Sequence, residues 1–140
     1  MMNAKKPISN IIFVDDDPTS NYIHNLVIKK LEIKVNTYFF LNVDDAFNFL
    51  LNRELQENVI ANDIIFIDIN MPVKDGWDFI QELEENVAKN EQKKIIIMMS
   101  SVINKNDADR IKEHTMIDDF MLKPFSEEML KKIFNKHILL

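Results

Sequence analysis

Four short apolar runs punctuate the chain, and each stops at a polar or charged residue. Ile11–Val14 ends before Asp15-Asp16, Ile64–Ile67 before Asp68, Ile95–Met99 before Ser100-Ser101, and Phe120–Leu122 before Lys123-Pro124. The first three are continuous rather than alternating, the pattern of strands covered on both faces of a parallel sheet. A further strand is expected where Val35, Thr37 and Phe39 alternate with their neighbours. Between strands the apolar spacing becomes helical. Asp17 precedes Pro18 as cap and first-turn residue, and Ile23, Leu26, Val27 and Leu31 follow at helical intervals. Asn42 can cap a second helix with Val43, Ala46, Phe47, Leu50 and Leu51 on one face. Trp77, Ile80, Leu83 and Val87 mark a third helix. Asn104–His114 is a mostly polar fourth helix with Ala108 and Ile111 inward, and Ser126 caps a fifth carrying Met129, Leu130, Ile133 and Phe134. The polar stretches Asn52–Asp63 and Ala88–Lys94 read as helix tails and loops.

Five strands alternating with five helices predict an α/β domain with a doubly wound, flavodoxin-like parallel sheet of order 2-1-3-4-5. Residues 1–9 are expected to be a short lead-in without structure, and 10–140 a single domain. The order puts the first and third strands side by side, with the switch point between them. Asp15-Asp16 and Asp68 then share one crevice at the carboxyl ends of the strands, where open α/β sheets bind ligands.

Composition narrows the class. At 140 residues the chain can bury one real core. Its 46% hydrophobic and 29% charged residues are those of an ordinary soluble domain. The net charge of −6 and the lack of a basic stripe argue against nucleic acid as a partner. Lys93-Lys94 and Lys131-Lys132 read as solvated positions. No cysteine is present, which excludes disulfides, zinc thiolates and thiol catalysis. No segment has the length of a membrane span or a signal-peptide apolar region, so a cytoplasmic protein without membrane contact is expected.

Clustered acids in a crevice repel one another and call for a cation. Carboxylates and a carbonyl suit Mg²⁺, and the soft ligands of zinc or copper are missing. Beside such an ion one carboxylate can attack a phosphoryl group, with a lysine and a hydroxyl stabilising its oxygens.

Taken together, Ile12-Phe13-Val14-Asp15-Asp16-Asp17, Asp68-Ile69-Asn70-Met71-Pro72 with Asp75-Gly76, Met99-Ser100-Ser101 and Lys123-Pro124-Phe125 resemble the receiver domains of two-component response regulators. The pieces stand in the family's order over roughly residues 9–138. Each alone is weak, but four on four strand ends are specific. The resemblance implies that Asp68 is the phospho-acceptor, with Asp16 a direct Mg²⁺ ligand, Asp15 acting through a metal-bound water, and the Asn70 carbonyl a third protein ligand. It implies that Ser100 is the hydroxyl that senses the phosphoryl group and Lys123 the cation that pairs with it. Pro124 suits a cis peptide aiming that lysine, Phe120 the switch aromatic, and Gly76 the tight entry to the third helix. A sensor histidine kinase or histidine phosphotransfer protein is the implied donor, docking on the first helix and the loop after Lys123, and a downstream protein the implied target. The protein is expected to be no conventional enzyme, since it catalyses only its own phosphorylation and dephosphorylation. With residue 140 closing the fifth helix, the expectation is a receiver without an output domain, acting as relay shuttle or diffusible switch, or one cut from a larger hybrid protein.

Departures from the family pattern are few. Met116-Ile117 replace the usual Gly-Ala ahead of the fifth strand, and Ser100 stands where threonine is commoner. Val102 occupies a position where a polar residue can orient attacking water, which implies slow dephosphorylation. Competing readings fit less well. As a calcium loop, the acids at 15–17 would need Gly at position 20 and Glu at 26, where Ser20 and Leu26 stand. As a haloacid-dehalogenase-type phosphatase, Asp15 would be nucleophile and Asp17 general acid, but Asp118-Asp119 precede Lys123, the wrong order. A binding-only receiver is a third reading. Trp77 and the methionines read as packing, and His24, His114 and His137 as helix-face residues without a catalytic partner.

Overall fold

The computed structural model describes residues 6–54, 62–86 and 93–139. In chain order the elements are β1 (Lys6–Pro7), β2 (Asn10–Val14), α1 (Pro18–Lys30), β3 (Asn36–Phe40), α2 (Val43–Glu54), β4 (Asn62–Asp68), α3 (Gly76–Asn86), β5 (Lys93–Ser100), α4 (Lys105–Glu113), β6 (Asp119–Leu122), α5 (Glu127–His137) and β7 (Ile138–Leu139). Strands β3-β2-β4-β5-β6 form one sheet, all neighbours parallel. Counted within that sheet this is the order 2-1-3-4-5, with five helices around it.

The continuous apolar runs bury both faces of the sheet, as a fully covered parallel sheet requires. Ile12, Val14, Ile65, Ile67, Ile96 and Met98 face one way, onto α2, α3 and Ile111 of α4. Ile11, Phe13, Ile64, Phe66, Ile95 and Ile97 face the other, onto Ile28 of α1 and Leu130, Ile133 and Phe134 of α5. Each such side chain removed from water contributes about 1.5–3 kcal/mol.

The caps read from sequence are in place. Asp17 accepts from the Thr19 N–H with Pro18 opening α1, Asn42 accepts from the Asp45 N–H, and Ser126 accepts from the Met129 N–H. The structure also corrects several expectations. Lys6–Pro7 are not an unstructured lead-in but pair in parallel with Ile138–Leu139, because α5 stops at His137 and the chain turns extended. Strand β4 begins at Asn62 and β5 at Lys93, within stretches read as loop. Among the polar residues at those strand starts, Asp63 and Lys94 meet each other in one buried group. Asp63 is fully buried and takes two bonds from the Arg53 guanidinium (2.7 and 2.8 Å) and one from Asn10 Nδ2 (2.9 Å), with Lys94 Nζ at 3.4 Å. Lys94, read as solvated, therefore lies against a buried carboxylate. Residues 1–5, 55–61, 87–92 and 140 lie outside the described residues, and with them Val87.

Helix α1 departs most from expectation. Ile23 (39% exposed) and Leu26 (48%) face outward beside Tyr22 (64%), and the buried face is Asn21, His24 and Ile28. His24 is 1% exposed, not a helix-surface residue. Burial pushes its imidazole down to about 4, against the opposing pull of the Asp15 charge.

Gly76 opens α3, with its N–H donating to the Ile69 carbonyl at 2.9 Å. Its φ is negative, so the need for glycine is one of space. A Cβ there would stand 2.7 Å from the Asp68 carbonyl oxygen and 2.9 Å from Ile69 Cα. The helix start thus lies directly against the backbone that carries Asp68.

Gly76→Ala is expected to lower the free energy of unfolding by about 1–3 kcal/mol, the range for overpacking, as read from urea melts. His24 gives a pH dependence. Its folded pKa lies below the unfolded 6.5, so the unfolded chain binds more protons between the two values. Its contribution is full above pH 6.5 and is lost as pH falls toward about 4. Between about pH 7 and pH 5 this amounts to as much as about 2 kcal/mol. His24→Phe should show a shallower fall over that interval, and parallel curves for the two proteins would refute this assignment.

Candidate functional site

Four of the five strands deliver the site's components at the carboxyl edge of the sheet. After Val14 the chain leaves β2, and the Asp15 N–H donates to the Phe40 carbonyl at 3.0 Å. Asp15 is fully buried; its Oδ1 accepts from the Asp17 N–H at 3.0 Å, which shapes the turn into α1. Asp16 is exposed on the same turn. Asp68 ends β4 and is 6% exposed, with Oδ1 accepting from the Asn70 N–H at 3.1 Å. Ser100 ends β5, and its carbonyl accepts from the Lys123 N–H at 2.9 Å, which fastens the end of β6 to its neighbour.

Lys123 joins the two buried acids. Its Nζ lies 2.7 Å from Asp15 Oδ2 and 3.0 Å from Asp68 Oδ2. The Lys123–Pro124 peptide is cis. Burial opposes the ammonium charge, but the hydrogen bonds and charges of Asp15 and Asp68 hold the Lys123 pKa above its ordinary value. Asp68 is held above the usual carboxylate range, because burial outweighs the contribution of Lys123.

The carboxylates of Asp15, Asp16 and Asp68 offer oxygens that all lie within 4.8 Å of one another. Two unit charges at that separation repel by about 3–4 kcal/mol at an effective dielectric of 20. One ammonium against three carboxylates leaves the group short of positive charge. The donor set is all oxygen and one member is exposed, which fits a hard divalent cation that keeps some of its water. Asp15 and Asp68 each have both oxygens engaged within the protein, whereas Asp16 is exposed on the turn.

Asn70 contributes more than its backbone. Its Nδ2 donates to Ser100 Oγ at 3.1 Å, so one residue touches both the buried acid and the hydroxyl. Ser100 Oγ in turn donates to the Val102 carbonyl at 2.9 Å. The loop after Asp68 is held by Lys74, whose Nζ lies 2.7 Å from both Asp44 and Glu82. Val73, fully exposed, takes the left-handed conformation at φ 68, a costly one for a β-branched residue.

Asp15, Asp16, Asp68, Asn70, Ser100 and Lys123 thus meet at one rim. Phe120 does not point into it but is 43% exposed on the edge strand. Sequence reasoning missed Asn21 and His24. Asn21 Nδ2 donates to the Asp15 carbonyl at 2.9 Å, and its Oδ1 lies 3.3 Å from His24 Nδ1. Their spacing with Ile28 (positions 21, 24 and 28) was the available signal, masked by the more apolar Ile23, Leu26 and Leu31.

Comparison with known proteins agrees with this arrangement. The family model described as the response regulator receiver domain matches residues 11–135. A probable C4-dicarboxylate response regulator of Halalkalibacterium halodurans is 27% identical over 136 residues, 96% of this chain and 53% of that protein. The chain therefore spans about half the length of that relative. Among solved structures, a two-component response regulator from Cytophaga hutchinsonii superposes with TM-score 0.80 at 24% identity, covering 94% of this chain and 97% of that one. A response regulator receiver protein from Dyadobacter fermentans gives 0.76 at 17% identity, covering 91% and 95%. These two likenesses are of fold. With the family match running from β2 into α5, the chain belongs to the response regulator receiver domains of two-component signalling.

Proposed function

We propose that the chain takes a phosphoryl group from a phosphohistidine donor onto Asp68 with Mg²⁺, and signals through the change this causes at Ser100. The observation that carries the reading is Lys123 Nζ within hydrogen-bond distance of both Asp15 and Asp68, beside three converging carboxylates. Asp68 forms the new P–O bond as the P–N bond to the donor imidazole breaks, and the imidazole keeps the electron pair and takes up a proton. Lys123 can leave its bond to Asp68 and follow a phosphoryl oxygen while it keeps Asp15. Asp16, Asp68 and the Asn70 carbonyl would hold the ion, with Asp15 acting through water. Mg²⁺ when bound supplies neutralisation of the charge on the transferred group.

The route outward follows from the bonds at Ser100. Its hydroxyl proton is committed to the Val102 carbonyl, so turning toward a phosphoryl oxygen breaks that bond and frees the segment leading into α4. Helix α4 is lightly held: Ile111 is its one buried residue. Arg110 lies 4.2 Å over the Trp77 ring, and His114 Nδ1 is 3.2 Å from Glu84. An element with so few buried contacts can shift at low cost. Phe120 is exposed on the adjoining strand, positioned to turn inward as Ser100 moves. The outward apolar face of α1, with Ile23, Tyr22 and Leu26, adjoins a cleft lined by Ser101, Lys123 and Phe125. That face suits the helical surface of a histidine kinase or phosphotransfer protein.

Incubation with a small acyl phosphate and Mg²⁺, followed by intact-mass measurement, is expected to add one phosphoryl group to the wild type and none to Asp68→Asn. Uptake by both proteins would move the acceptor elsewhere, and uptake by neither, with folding intact, would favour a binding-only receiver. Val102 is 71% exposed, so a polar side chain there meets water without disturbing the core. Val102→Asn is expected to shorten the lifetime of the phosphorylated form, read as phosphoryl loss after donor removal.

A further inference from the structure

Two buried polar side chains on α1 have no place in the chemistry above. Asn21 is 8% exposed and His24 1%. A buried polar pair persists where its hydrogen bonds are satisfied, and each bond here leads toward the site. Asn21 Nδ2 donates to the Asp15 carbonyl at 2.9 Å, which turns its Oδ1 toward His24. That oxygen can only accept, so His24 Nδ1 carries the proton of the 3.3 Å contact.

The His24 ring then reaches the opposite side of the crevice. It stacks on Phe13 at 4.5 Å between centroids and meets Phe125 edge-on at 4.8 Å. Phe125 itself packs edge-on against Phe13 and Phe66. It follows Lys123–Pro124, so its position sets where the lysine leaves β6. Asp15 and Lys123 are 108 residues apart in sequence and 2.7 Å apart in space. His24 is in contact with the neighbours of both.

We propose that Asn21 and His24 are positioning residues that set the distance between the acidic turn and the Lys123 segment. Their two parts act on different sides. The polar edge of His24 orients Asn21, which fixes the Asp15–Asp16 turn. The aromatic face fixes Phe125 and, through it, Lys123. The proposal rests on the phospho-acceptor reading and adds to it two residues that touch neither phosphoryl group nor ion.

The split is testable with the full chain, using Mg²⁺ affinity by calorimetry, the rate of acyl-phosphate uptake at saturating Mg²⁺, and thermal stability. Asn21→Ala should weaken Mg²⁺ binding roughly tenfold, as expected for one lost buried hydrogen bond, with little change in the saturated rate. His24→Phe keeps the ring and loses the donor, so it should reproduce the loss of affinity and retain the rate. Asn21→Ala/His24→Phe should be no weaker in affinity than either single variant, because both break one chain of bonds. His24→Ala should lose rate as well, again roughly tenfold. If that variant does not fold, the first three still decide the matter. Wild-type Mg²⁺ affinity in Asn21→Ala and His24→Phe, with only their melting temperatures lowered, would reduce the pair to structural packing and overturn the proposal. A wild type that binds no Mg²⁺ and takes no phosphoryl group would instead remove the reading on which it rests.

Discussion

Three carboxylates stand within 4.8 Å of one another at the end of the sheet, and the ammonium of Lys123 is what holds the two buried ones in place. Without it, Asp15 and Asp68 would face each other in a setting too dry to screen their repulsion. With it the pair is held but not satisfied, since one cation cannot neutralise three anions. This deficit suits the group to a divalent ion. Lys123 is held unequally by the two acids, since its bond to Asp68 (3.0 Å) is longer than its bond to Asp15 (2.7 Å).

The rest of the fold places those four charges. Strands β2 and β4 are neighbours because the winding reverses between them, and this brings Asp15 opposite Asp68. The register carries Ser100 and Lys123 to the same rim from β5 and β6. Gly76 brings α3 against the Asp68 backbone so closely that no side chain fits between. At the opposite end of β4, Asp63 meets Arg53, Asn10 and Lys94, a second buried carboxylate that is fully compensated. The contrast separates the two ends of one strand: Asp63 has its own set of cations, whereas Asp68 shares one ammonium with Asp15. Breaking the satisfied group would leave a charge buried without a partner, at a cost of about 3–5 kcal/mol.

Much of this was legible in the residues. Continuous apolar runs identify strands buried on both faces, and the polar residue ending each run names a site component, as with Asp68 after Ile67 and Lys123 after Leu122. Caps at Asp17, Asn42 and Ser126 were readable because each is a local interaction. Strand starts were not, because Asn62-Asp63 and Lys93-Lys94 are polar, and the burial of Asp63 depends on Arg53, Asn10 and Lys94 from other parts of the chain. The pairing of Lys6–Pro7 with Ile138–Leu139 is non-local in the same sense. The inward face of α1 was misread for a different reason. Apolar periodicity assumes that the most hydrophobic face is the buried one, and here it is not.

Helix α1 has two faces whose chemistry is the reverse of an ordinary amphipathic helix near its start. Asn21 and His24 point in, while Tyr22, Ile23 and Leu26 point out. Turning the helix by one residue would bury Ile23 and expose Asn21, and the apolar gain would come at the expense of the bond to the Asp15 carbonyl. That bond, the Asp17 cap, and the His24 ring stacked on Phe13 and set edge-on to Phe125 together fix the rotation. The outward apolar residues are then left uncovered among the described residues, next to the cleft lined by Lys123. A single rotational setting of one helix therefore serves the crevice on its inner side and leaves an apolar surface on its outer side. The residues proposed to orient the acids and those proposed to meet a donor are held by the same few bonds.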